Sequence, residues 1–119
     1  ERSELNVVSD QIGSPTYAAD LANAILDIVQ NKTFRKAGQE IQAYHYSNEG
    51  EISWCDFAKE IFKISKIDCK VNPITTEQYP APAKRPKNTV MFKSKACGDT
   101  NFKTEDWNYS LLKFFKNNE

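Results

Sequence analysis

Apolar positions along this chain fall into short alternating runs and longer stripes with helical spacing, separated by polar turns. Leu5, Val7 and Val8 open the pattern as a strand entering a core. Asp10, Gly13, Ser14 and Pro15 then break it, each a turn former for its own reason. Gly13 tolerates positive φ and close backbone approach, and Pro15 fixes the turn. Thr16 occupies a helix N-cap position. The stripe Ala18, Leu21, Ala22, Ile25, Ile28 and Val29 predicts a first helix over Tyr17–Gln30. The polar stretch Asn31–Gln39 ends it, and alternation over Ile41–Tyr46 predicts a short strand.

The clearest helix start is Ser53, with Asp56 three residues on as a short-armed capping box. Trp54, Phe57, Ala58, Ile61 and Phe62 continue at helical spacing to Ser65; a nucleotide base stacked on Trp54 is the alternative use of that ring, but the stripe predicts core packing first. A strand over Lys70–Ile74 and a helical turn near Thr75–Gln78 precede a proline-rich loop. A strand over Asn88–Phe92, a turn around Ser94–Gly98 and a last helix over Thr104–Asn117 complete the pattern. Trp107, Leu111, Phe114 and Phe115 form that helix's apolar face, and Lys113 and Lys116 suit its C-terminal end. This is an α/β chain with about three main helices and a few short strands.

Length and charge narrow the picture. The 119 residues suit one domain with a modest core. Sixteen basic and sixteen acidic side chains cancel, which argues against a nucleic-acid module, since that would need a basic excess. No apolar run approaches the roughly 20 residues that cross a bilayer, and no signal peptide is visible. Cys55, Cys69 and Cys97 are odd in number and widely spaced, and His45 is the sole histidine. No set of zinc-ligand spacings can be assembled from these, so the thiols are expected to be reduced, small apolar residues, and no metal site is expected.

Chemistry concentrates in two segments. A polar turn between a strand and a helix N-terminus is where α/β proteins often bind ligands; Gln11 and Thr16 offer hydrogen-bonding side chains there. Asp20 follows as a local partner of the helix dipole. In the second segment Arg85 sits in a loop stiffened by Pro82 and Pro86, with Lys84 and Lys87 beside it. A guanidinium so held can grip a pyrophosphate bidentately or tie the loop to a carboxylate, and Asn88 can contact a ligand or cap the following turn. Tyr109 and Lys113 also satisfy a Tyr-x-x-x-Lys spacing. Two such residues four apart on an amphipathic helix are ordinary neighbours, so no catalytic role is assigned to them.

Asp10-Gln11-x-Gly13-x-Pro15-Thr16 with Asp20-Leu21-Ala22, and later the run from Tyr79 to Asn88 reading YPAPAKRPKN, resemble segments of the dTDP-4-dehydrorhamnose reductases. These belong to the extended short-chain dehydrogenase/reductase superfamily. The resemblance implies a Rossmann-type parent enzyme that reduces the 4-keto group of dTDP-4-dehydro-L-rhamnose with NAD(P)H in dTDP-rhamnose biosynthesis. It also implies that residues 1–119 are its C-terminal substrate-binding region. No G-x-G-x-x-G fingerprint is present, and the chain begins at Glu1 without Met, so the dinucleotide-binding domain and catalytic pair are expected to lie outside it. Gln11, Gly13, Thr16, Arg85 and Asn88 are then the expected dTDP-sugar contacts, with no catalytic, cofactor-binding or metal residue in this chain. The superfamily's dinucleotide-domain sheet would take a strand near Tyr44–Ser47, so its unpaired edge predicts self-association. Cytoplasmic location is expected. A non-catalytic binding relative of the same fold, or another nucleotide-sugar epimerase or dehydratase, is the alternative.

Overall fold

A computed structural model describes residues 2–30, 41–100 and 103–118. The loop expected over Asn31–Gln39 lies outside them. Strand β1 (Glu4–Val8) pairs in parallel with β4 (Lys70–Ile74), Leu5 opposite Val71 and Val8 opposite Ile74. Two parallel strands need a long crossover. Here the crossover carries two helices, α1 (Ala18–Gln30) and α2 (Trp54–Ser65), and α2 packs across both strands. Pro73 sits in β4 opposite Val7 without disrupting the pair, because a two-stranded sheet has only edges.

A second small sheet lies in the turn that follows β1. β2 (Ile12–Gly13) runs antiparallel to β3 (Ile52–Ser53), which leads directly into α2. Gly13 is therefore a strand residue, and positive φ is found at Gly50 instead, at 85°. What Gly13 supplies is close approach, since a Cβ there would lie 2.7 Å from Thr89 Oγ1.

Local chemistry explains the best-formed helix. Ser53 Oγ accepts from Asp56 N at 3.0 Å as an N-cap, and its hydroxyl donates to Asp56 Oδ2 at 2.8 Å; the short Asp56 arm thus bonds the Ser53 hydroxyl and not its backbone N–H as a full capping box would. α2 ends on Lys66, which adopts the left-handed conformation usually left to glycine (φ 56°) while its N–H donates to Phe62 O.

Five expectations change. Thr16 does not cap α1: its hydroxyl donates to Ser14 O, and Tyr17 N donates instead to Asn48 Oδ1 at 2.8 Å. Residues 41–46 form no strand. They lie against α3 (Ser94–Thr100), where Lys95 Nζ donates to Gln42 Oε1 and Ala43 O and Tyr44 Oη donates to Asp99 Oδ2. The expected turn at Ser94–Gly98 is the start of that helix, α3. The expected strand Asn88–Phe92 reduces to one parallel bridge between Asn88 and Ile12. The last helix, α4 (Trp107–Lys116), is shorter than expected because Asp106 caps it, accepting from Asn108 N.

The core is small and its centre is polar. Val8, Ala24, Cys55, Ala96 and Leu111 are buried, and so are Asp20, Ser47, Asn48, Lys93 and Ser110. Asn48, fully buried, donates through Nδ2 to Asp20 Oδ2, Ser110 Oγ and Glu105 O. Ser110 and Lys113, both on α4, donate to the same Asp20 carboxylate, Lys113 Nζ at 2.6 Å. Burial alone would push the Asp20 carboxyl up, but the bonds from Lys113, Ser110 and Asn48 together hold it below its ordinary value. Asp20 thus ties α1 to α4 in addition to facing its own helix dipole. Lys113 is committed to it, although the ammonium also lies 5.4 Å from the Tyr109 ring centre. All three cysteines are free thiols, and Cys55 is buried. No described helix is long and apolar enough to cross a membrane.

Candidate functional site

The proline-rich loop is stapled to the β1–β2 turn by backbone. Ile12 N donates to Lys87 O at 2.8 Å, and Thr89 N returns to Ile12 O at 2.9 Å. Side chains reinforce the neighbourhood: Asp10 Oδ1 accepts from both the N–H and the hydroxyl of Thr76, and Lys87 approaches Asp10 at 3.7 Å. The Thr76 hydroxyl bond, opposed by some burial and helped by the Thr76 N–H and by Lys87, holds the Asp10 carboxyl below its usual range. Gln11, buried, donates through Nε2 to Thr76 Oγ1 at 3.1 Å. Two segments more than 60 residues apart in sequence therefore form one rigid corner.

Between them lies an open cleft of about 490 Å³, floored by β1 and walled by Gln11, Trp54, Thr76, Tyr79, Lys84 and Arg85. Among the described residues neither Lys84 nor Arg85 makes an ion pair. Arg85 is thus not tied to a carboxylate that would pin the loop; backbone bonds do that. A second hollow of about 320 Å³ adjoins, lined by Gly13, Pro15, Ile52, Thr89 and Met91, and Trp54 is the residue the two share.

Of the residues singled out from sequence, Gln11 and Arg85 meet in the first cleft and Gly13 lines the second. Thr16 lies elsewhere, on an apolar groove with Phe57, Trp107 and Phe114. The Asn88 side chain turns to its own chain, Oδ1 accepting from Val90 N at 2.9 Å, which is the capping alternative. Sequence reasoning missed Tyr79 and Thr76, and for Trp54 it ranked core packing ahead of ligand stacking. Trp54 was expected in the core but is 47% exposed, because as the first residue of α2 it projects from the helix end into the cleft. Among the described residues no group of three or more His, Cys, Asp or Glu side chains is placed to hold a metal.

Comparison with known proteins shows the family and the fold. The family model described as RmlD substrate binding domain matches residues 1–119. A dTDP-4-dehydrorhamnose reductase of Sinorhizobium fredii is 34% identical over 90% of this chain, and one of Aggregatibacter actinomycetemcomitans is 36% identical over 92%. The chain spans only 38% and 39% of the lengths of those two relatives. The crystal structure of a Bacillus anthracis dTDP-4-dehydrorhamnose reductase in complex with NADP superposes with a TM-score of 0.87 at 35% identity, covering 98% of this chain and 39% of that one. With its α/β architecture, its stapled corner and a family match along its whole length, the chain belongs to the RmlD substrate-binding-domain family.

Proposed function

We propose that residues 1–119 are the nucleotide-sugar-binding region of a dTDP-4-dehydrorhamnose reductase, an NAD(P)H-dependent oxidoreductase of dTDP-rhamnose biosynthesis. The observation that carries this reading is the shared cleft: Gln11 and the cations Lys84 and Arg85, neither in an ion pair among the described residues, face one space, held there by the Ile12–Lys87 and Thr89–Ile12 bonds. A diphosphate needs such cations, and the guanidinium of Arg85 suits two phosphate oxygens at once. Gln11 offers an amide to a sugar or phosphate oxygen, and Gly13 leaves room for the backbone to come close. Asn88 acts by shaping the loop. Thr16 belongs to the helix α1 entrance rather than to ligand contact.

The reduced nicotinamide would supply the hydride, and it and the proton donor belong to polypeptide outside these residues. What this chain contributes is position: it fixes the diphosphate end so that the keto carbon is presented in one orientation. Such chemistry draws on cytoplasmic nucleotide pools, so the cytoplasm is the proposed compartment. Association of copies is also proposed, through the outer edges of β1 and β4 rather than through residues 44–47, and light scattering over a wide concentration range tests it.

The central test is titration of the 119-residue chain with dTDP by NMR or calorimetry. Weak, saturable binding is expected, reduced about tenfold or more in Arg85→Ala, since a hydrogen bond to a charged group is worth about 1.5–3 kcal/mol. Equal affinity in the two proteins removes the cleft as the site. Ketosugar-dependent NADPH oxidation by the 119 residues alone would show that the reacting groups are not elsewhere.

A further inference from the structure

We infer that Trp54 is a stacking platform for the nucleobase of the bound nucleoside diphosphate, an inference that rests on the proposed nucleotide-sugar site. An indole on the first turn of a packed helix normally turns inward. This one stands half exposed beside Cys55, which is almost wholly buried, and it forms the wall common to both hollows.

The ring is braced from behind. Trp54 meets Phe57 edge to face at 6.3 Å between ring centres, and Phe57 meets Trp107 in the same manner at 5.9 Å. The three form an aromatic row running from the cleft to the start of α4. A ring held this way presents a fixed surface, and little rotamer freedom is lost when a ligand lies against it.

The cleft then offers two chemistries side by side: an aromatic surface, and the cations of Lys84 and Arg85, which make no ion pair among the described residues. Few ligand classes need both. A nucleoside diphosphate does, because its base has a π-face whatever its edge pattern and its phosphates carry the negative charge. A phosphorylated ligand without a base would use the cations and leave the indole idle. Trp54 is therefore a positioning and specificity residue that favours nucleotide-linked sugars over simple sugar phosphates.

The chain contains only Trp54 and Trp107, so 5-fluorotryptophan labelling yields two fluorine signals, assigned with Trp54→Phe. Titration with dTDP is expected to move the Trp54 signal and leave that of Trp107 in place, whereas inorganic pyrophosphate moves neither to a comparable extent. Trp54→Ala is expected to weaken dTDP binding about tenfold without changing pyrophosphate affinity, and Trp54→Phe to retain most of it. An unmoved Trp107 signal in each variant verifies the fold. If dTDP binding depends on Arg85 but is the same in Trp54→Ala, the stacking role is wrong and the site stands. If dTDP shows no saturable binding at all, the site itself is wrong and the stacking role falls with it.

Discussion

Two polar regions of this chain treat their charges in opposite ways. At the junction of α1 and α4, the Asp20 carboxylate is buried and takes bonds from Asn48, Ser110 and Lys113, so the charge is matched inside the fold. At the cleft, Lys84 and Arg85 stand in the open without an ion pair among the described residues, beside a half-exposed indole. The first arrangement holds elements together; the second leaves its groups available to something else. Similar residue types thus divide between architecture and recognition according to burial and partners, which their positions in the sequence do not display.

Breaking the first region should have the largest effect. Asn48→Ala removes the acceptor that caps Tyr17 N and the donor to three oxygens, and it leaves Asp20 short of a partner. Unsatisfied buried groups cost about 1–3 kcal/mol each, so a loss of about 3 kcal/mol or more in denaturant unfolding is expected. A loss below about 1 kcal/mol would mean that the knot is incidental to the fold.

Acid should act on the same knot with a smaller effect. The folded Asp20 carboxyl titrates below its ordinary value, so the unfolded chain binds the proton more readily. The stability contributed by Asp20 is therefore fully present above the unfolded pKa of about 3.9, and it drains away as pH falls through the lower folded value. Asp20→Asn should flatten this acid limb, measured as unfolding midpoint against pH. Asp10, also lowered, contributes with the same sign, so some slope should survive the substitution.

How much of this was legible follows from where each element's bonds go. α2 and β1 were readable because their signals are local: Ser53 and Asp56 close the cap within one turn, and the residues of β1 alternate between exposed and more buried positions. α3 was not, since seven residues containing Gly98 make a poor helix alone. The segment is held by Lys93 and Lys95 reaching back to residues 42–49. The alternation at 41–46 suggested a strand, but alternation does not reveal whether a neighbouring strand exists. Thr16 had the right chemistry for a cap, yet Asn48 took the bond from Tyr17 N, 31 residues away along the chain. At the site, Gln11 and Arg85 stood out through turn chemistry and the resemblance. For Trp54 the stripe put packing ahead of stacking, because an apolar stripe is the same for a packed ring and for one at the helix end.

The smallest expected effect is the most discriminating one. Arg85→Ala and Lys84→Ala remove side chains that are exposed and unpaired among the described residues, while the loop's backbone bonds to Ile12 remain. Surface substitutions without buried partners change stability by about 0.5 kcal/mol or less, and these two should fall within that range in the same denaturant experiment. If instead either variant destabilised the fold as Asn48→Ala does, the cations would be structural after all, and the contrast between the two regions would vanish. Near-neutral stability alongside weakened dTDP binding is the combination that a ligand-directed role requires, because a group that stabilises the empty protein has already spent its charge on a partner within it.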